Sequence, residues 1–295
     1  MNRGCTNLLV AVLLTVVLHS RAGHAQQRYP ASGLVLSVDL SQKTMVVSCD
    51  EIQGFMDAMV MPFKVQDAKV LDHIARGSLI DFILVVNKEA SYAEKIRVRG
   101  YASAEREPSK SRRLQGLSED LQGPTHRLVV GQSVPDFVLI DQKKRPVRLS
   151  QFAGKVVALN FVYTRCALPE YCFRSSNNFG ILQKRYPERL GRDLVLLSVT
   201  FDPVHDQPGV LQSWANTWKA DPESWRFLTG AAADVQRVCD LFGVHFVPDE
   251  GLFIHSLHTA IIGRDGKLVV DLEGNGFTGQ QLGDLVKTVL DTGKK

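Results

Sequence analysis

Cysteine and methionine are both scarce, five of each in 295 residues. Five cysteines are too few to staple a chain of this length, so a disulfide scaffold is excluded and each thiol is read singly. No methionine occurs beyond residue 61. Long apolar runs are missing after the first twenty residues, and spanning a bilayer takes roughly 20. A long basic tract is missing too. The formal net charge is only +4, and acidic residues interrupt the lysines and arginines almost everywhere. That pattern excludes nucleic acid as the default partner. There is no internal repeat and no low-complexity segment.

What is present begins with an export pattern. Arg3 gives a positive start, Leu8 to Leu18 is apolar, and Gly23 and Ala25 supply small residues for cleavage. Residues 1–25 therefore read as a signal peptide. The expected location is the periplasm, as a soluble protein or one tethered by an uncleaved signal. Cys5 precedes the apolar run and is set aside. The thiols left are Cys49, Cys166, Cys172 and Cys239.

Residues 31–104 read as a compact β-rich unit. Strand patterns fall at 34–38, 44–47, 63–65, 79–86 and 96–98, with a helical turn near 70–74. Five such strands suit a small barrel or sandwich. Residues 105–126 are polar, charged and broken by Pro and Gly, a linker composition. From 127 to 295 strands and helices alternate. Val156–Val162 is a continuous apolar run, as a strand covered on both faces requires. Helical periods follow at 175–184, 210–218, 235–242 and 280–290, with strands at 194–199 and 225–228. A hairpin is expected across Gly263–Gly266.

Cys166 and Cys172 sit directly after that buried run and before a helix, where α/β sheets present ligands. Helix amides there are expected to favour thiolate. Five residues separate the two thiols, so they are not a redox CxxC. A structural disulfide and a soft-metal site both fit the spacing. Two thiolates with an imidazole suit Cu(I) and also hold Cu(II).

The stretch GQSVPDFVLIDQKKRPVRLSQFAGKVVALNFVYTRC, with SVTFDPVHDQP and HSLHTAIIGRDG, resembles the Sco/SenC family of thioredoxin-like copper chaperones. The resemblance implies an α/β thioredoxin-like domain with Cys166, Cys172 and His255 as metal ligands. Common members have three residues between the cysteines, whereas CALPEYC has five. His258 competes with His255, and His245 is a candidate auxiliary ligand in the loop GVHFVPDEGLFIHS. Asp202 reads equally as a helix cap or as an outer partner of the site. Cys239, beside Val238 and Leu241, reads as a small core hydrophobe.

The methionines cluster. Apart from the initiator they are Met45, Met56, Met59 and Met61. Met59 and Met61 are two apart, so in a strand they share one face. Cys49, ten residues earlier, can reach the same spot from a neighbouring strand. Thioether and thiolate select Cu(I) or Ag(I), while a flexible methionine core is the structural alternative. The run CDEIQGFMDAMVMPF resembles the CusF-like periplasmic copper- and silver-binding fold, a small all-β, OB-like barrel. Met59 and Met61 match its MxM pair. Met56 stands where the best-known members place tryptophan, and Cys49 where relatives fused to Sco-like domains commonly place histidine. Met45 reads as core.

The two resemblances together imply copper binding and delivery to the copper-bearing subunit of cytochrome c oxidase or to another copper protein. A periplasmic thiol reductant would keep the pair reduced. The chain is not read as an enzyme. The competing readings are a thiol–disulfide oxidoreductase with Cys166 and Cys172 as its redox pair, and a copper tolerance or buffering protein.

Overall fold

The structure, a computed structural model, describes residues 26–87, 91–99, 127–166, 168–249 and 251–292. The segments read as a signal peptide, 1–25, and as a linker, 105–126, lie outside the described residues.

Strands β1 (Gln27–Asp39), β2 (Thr44–Cys49), β3 (Val60–Val65), β4 (Leu79–Val86) and β5 (Ser91–Val98) close into a barrel in the order β1-β2-β3-β5-β4. The first strand is much longer than its apolar stretch 34–38 suggests. Its polar start, Gln27–Pro30, is recruited by pairing with β4 from Val86 to Ile83. Inside the barrel lie Val35, Met45, Val47, Cys49, Phe63, Phe82 and Leu84. Met45 is fully buried there. Gly33 stands opposite Cys49 in the β1–β2 ladder. A Cβ at Gly33 would lie 2.5 Å from the Ser48 carbonyl oxygen, so only glycine lets the two strands approach this closely.

The second unit is a 7-stranded sheet flanked by helices. It contains β6 (Val138–Asp141), β7 (Pro146–Arg148), β8 (Val156–Val162), β9 (Leu194–Thr200) and β10 (Trp225–Thr229). Strands β13 (His258–Ile262) and β14 (Leu268–Glu273) complete the order β14-β13-β8-β9-β10-β6-β7. Every residue of β8 and β9 is buried, which explains their uninterrupted apolar sequence. These strands run parallel, and β13 joins antiparallel to β8. The helices are α1 (Arg174–Arg185), α2 (Pro208–Thr217), α3 (Ala232–Leu241) and α4 (Gly279–Asp291). This is a thioredoxin-like α/β fold.

Segment 246–255 differs from its reading as a loop. It forms a two-stranded hairpin, β11 (Phe246–Asp249) and β12 (Leu252–His255), standing apart from the main sheet. The strands are four residues each and largely exposed, with Pro248 within and Gly251 at the turn. Such short, half-exposed strands leave no clear hydrophobic period.

The barrel rests on the second unit. Leu34 and Leu36 share a core with Val270, Leu272, Leu282 and Val286. Thr278 caps α4, and its capping box includes Gln281. Gln281 then donates to the Ser48 carbonyl at 3.2 Å and to Asp50 Oδ1 at 2.9 Å. Ser48 donates to Asp284 at 2.7 Å. The residues on both sides of Cys49 are therefore held by α4.

Candidate metal centre

Strand β8 ends at Val162, and the chain turns through Tyr163 to Cys166. Pro169–Phe173 then winds as a single wide π-turn before α1, a distortion that often accompanies functional positions. The five-residue spacing follows: Cys166 lies in the turn after the strand and Cys172 in the π-turn that opens the helix. His255 enters from the end of β12. One sulfur from each cysteine and one nitrogen of His255 lie within 4.8 Å of one another. Cys166 is 5% exposed and Cys172 fully buried.

The His255 ring is fixed on several sides. Its Nδ1 lies 2.9 Å from the Ser256 carbonyl oxygen. A carbonyl only accepts, so Nδ1 carries a proton and Nε2 is the nitrogen left to face the sulfurs, as hydrogen-bond partner of Cys166 in the metal-free site and as the unprotonated ligand once metal binds. The rings of Phe201, Tyr163 and Tyr171 surround it at 4.8, 5.5 and 6.0 Å between centroids. Tyr163 is nearly fully buried, and burial pushes its hydroxyl up to about 12.

The two sulfurs are not equivalent. Hydrogen bonding from Cys172, and also from His255, holds Cys166 well below the ordinary thiol range. Burial pushes Cys172 well above it, and the neighbouring Cys166 adds to that shift. Helix amides were expected to favour thiolate at both. For Cys172 the loss of solvent outweighs the helix terminus.

His258 does not join this group. It opens β13, is buried, and its Nδ1 lies 3.1 Å from Asp271. His245 immediately precedes β11, with its amide donating to Ser256 Oγ at 2.9 Å, and it is not part of the three-ligand cluster. Cys239 is buried in the core beneath the sheet, with its thiol pushed up by that burial. Asp202 is no helix cap: its carboxylate faces Arg165 at 2.7 Å.

The reading of the sequence missed Asp206. It is fully buried and accepts from the Thr164 amide at 3.1 Å, the Thr164 hydroxyl at 2.5 Å and the Thr200 hydroxyl at 2.6 Å. Burial raises its pKa, yet these donors tie the chain just before Cys166 to the end of β9. The only signal in the sequence was an acidic residue four positions after Asp202.

In the barrel, the ladder places Val47 opposite Met61 and Met45 opposite Phe63. The Cys49 amide donates to the Met59 carbonyl at 2.9 Å, extending that pairing by one step. Paired residues share a face, so Cys49, Met59 and Met61 fall on the same face of the sheet as the buried Val47 and Phe63. Cys49 is 2% exposed and belongs to the barrel core, Met61 packs against that core, and Met59 is 50% exposed. Met56 bridges back to Ile52 and, like Met61, packs against the barrel core. Burial, with Asp50 beside it, pushes the Cys49 thiol up to about 12.

The chain matches the family model of SCO1/SenC proteins over residues 129–290. It matches that of the copper binding periplasmic protein CusF over residues 28–97. A protein of Stutzerimonas stutzeri described as copper-binding is 29% identical over 142 residues, 46% of this chain and 67% of that protein. A SCO1 protein homologue of Bacillus subtilis (strain 168) is 26% identical over 145 residues, 48% of this chain and 74% of that one. Among solved structures, a SCO1/SenC family lipoprotein from Bacillus anthracis aligns with 54% of this chain and 95% of its own. Its identity is 24% and the TM-score 0.48.

Proposed function

Because the chain belongs to the SCO1/SenC family and carries a CusF-like domain ahead of that fold, we propose that it binds copper at two sites and passes it to another copper protein in the periplasm. The copper-bearing subunit of a cytochrome c oxidase is the proposed recipient. Among the described residues no helix is long and apolar enough to cross a membrane. The observation that carries the reading is the convergence of Cys166, Cys172 and His255 within 4.8 Å. Two sulfurs and one neutral imidazole, buried among aromatic rings, match the softness of Cu(I) and the need of Cu(II) for nitrogen. The barrel cluster, Cys49 with Met59 and Met61 and with Met56 beside them, supplies an all-sulfur set that suits Cu(I). Both clusters would serve as capture and delivery sites on one chain, where linkage raises local concentration.

The test separates two histidines three positions apart. His255→Ala is expected to weaken Cu(II) binding by the second domain sharply and to change the Cu(II) spectrum, and His258→Ala to leave both intact, read by copper content and electron paramagnetic resonance of the Cu(II)-loaded chain. The reverse outcome would remove His255 from the site.

A second reading follows from the unequal sulfurs. Cys166, held as thiolate, would attack a target disulfide and release one target thiolate. Cys172, losing its proton, would then attack Cys166, form the Cys166–Cys172 bond and release the second. Two electrons pass to the target, and a thiol reductant must restore the pair. Exchange and copper delivery use the same two sulfurs, and only copper delivery requires His255.

A further inference from the structure

Three chain segments build the second site: the turn after β8, the loop after β9, and the hairpin β11–β12. One side chain touches all three. Arg165, immediately before Cys166, donates from Nε and Nη2 to Asp202 Oδ2 at 3.0 and 2.7 Å. From Nη1 it donates to the Gly251 carbonyl at 2.7 Å. Gly251 forms the hairpin turn and has φ of 81°, a conformation that favours glycine. Asp202 is itself fixed, because its amide donates to Thr200 Oγ1 at 3.0 Å and Thr200 donates to Asp206. Asp206 accepts from Thr164, the residue preceding Arg165. The guanidinium thus closes a ring of polar contacts around the base of the cysteine loop and extends it to the hairpin.

At its turn the hairpin meets Arg165 through the Gly251 carbonyl. It is outside the main sheet, and Leu252 and Ile254 face solvent at 37% exposure each. Its inner face is held by Phe253 against Tyr163 and Phe201 and by Phe246 against Phe201, with a hydrogen bond from the Phe253 backbone to Tyr163, and its base by the Ser256 amide donating to the His245 carbonyl at 2.8 Å. His255 is the hairpin's last residue, so any swing of the hairpin moves the imbrication of imidazole and sulfurs.

Resting on the reading that Cys166, Cys172 and His255 bind copper, we infer that Arg165 is the positioning residue that locks the His255 hairpin against the cysteine loop. It thereby sets affinity for Cu(II) without setting affinity for Cu(I). The asymmetry follows from ligand chemistry. Two thiolates suffice for Cu(I), whereas Cu(II) draws on the imidazole. A planar fork with five donors is needed to hold a carboxylate and a distant carbonyl together, and lysine lacks that geometry.

The experiment compares Arg165→Met, Arg165→Lys, His255→Ala and the Arg165→Met/His255→Ala pair in the full chain, each titrated with Cu(I) and with Cu(II). Arg165→Met leaves the buried Asp202 carboxylate without its guanidinium, so Arg165→Met/Asp202→Asn is included as the variant that avoids an orphaned charge. The expected result is a loss of roughly 10–100-fold in Cu(II) affinity, the scale of removing an outer partner of a metal ligand. Cu(I) affinity should change far less, and the Cu(II) spectrum should shift toward that of His255→Ala. Arg165→Lys should resemble Arg165→Met. The pair should be no weaker for Cu(II) than His255→Ala alone, because both changes remove one interaction. Unchanged Cu(II) affinity and spectrum in both Arg165→Met and its Asp202→Asn partner would overturn the inference. Equal losses for Cu(I) and Cu(II) would overturn it as well. A His255→Ala variant with undiminished Cu(II) binding would overturn the site reading itself, and the clamp with it.

Discussion

Replacing Cys166 or Cys172 by alanine is expected to strip the second domain of copper in both oxidation states. The loss should exceed the roughly 10–100-fold that an outer partner costs, because the removed group is a ligand itself. Alanine is the appropriate replacement at Cys172. That side chain is fully buried, and a serine there would bury an unpaired hydroxyl, whereas a buried cysteine packs as a small hydrophobe. The variants should keep their fold and lose their metal, read by thermal unfolding beside copper content. The two losses differ in origin. Cys166 is the sulfur held as thiolate before metal arrives, by hydrogen bonding from Cys172 and His255. Cys172 enters as a thiol, since burial favours its neutral form, and must give up a proton to bind. Copper retained at native affinity by either variant would remove that sulfur from the site.

The second large effect belongs to the barrel. Cys49→Ala is expected to weaken Cu(I) or Ag(I) binding there and, more tellingly, to abolish its pH dependence. Burial, reinforced by Asp50, pushes the metal-free thiol up to about 12. Below that value each metal bound through the sulfur displaces one proton, so affinity should fall about tenfold for each unit that pH drops. Thioethers carry no proton. Met59→Ala should therefore lower affinity at every pH while keeping the slope, and Cys49→Ala should lower it and flatten the slope. Chelator competition with Ag(I) from about pH 6 to 8 reads both. A slope that survives in Cys49→Ala would show that the thiol is not a ligand.

The parts of the fold legible in the sequence are those where one residue type repeats for one reason. Val156–Val162 reads as a covered strand because every position in β8 is buried. The barrel strands read through their apolar alternation, and the methionine cluster through its concentration in one short run. The hairpin carrying His255 was not legible, because Pro248, Asp249 and Gly251 sit in ten residues and its strands are half exposed. Of the polar ring of Thr164, Asp206, Thr200, Asp202 and Arg165, the sequence points only to Asp202, as a helix cap or an outer partner of the site, and the rest is hidden for a different reason. Each member is common in loops, and only the fold brings positions 164–165, 200–206 and 251 together. The seating of the barrel on α4 was equally hidden. Gln281 and Asp284 look like the solvated face of an amphipathic helix, yet they meet Ser48 and Asp50.

Two copper sites on one chain are the central claim, and counting Cu(I) bound by the reduced full chain under chelator competition tests it most directly. The account predicts two Cu(I) per native chain, one in Cys166→Ala/Cys172→Ala and one in Cys49→Ala/Met59→Ala. A native chain that binds one, with the barrel variant binding as many as the native protein, would contradict it and leave the barrel without a metal.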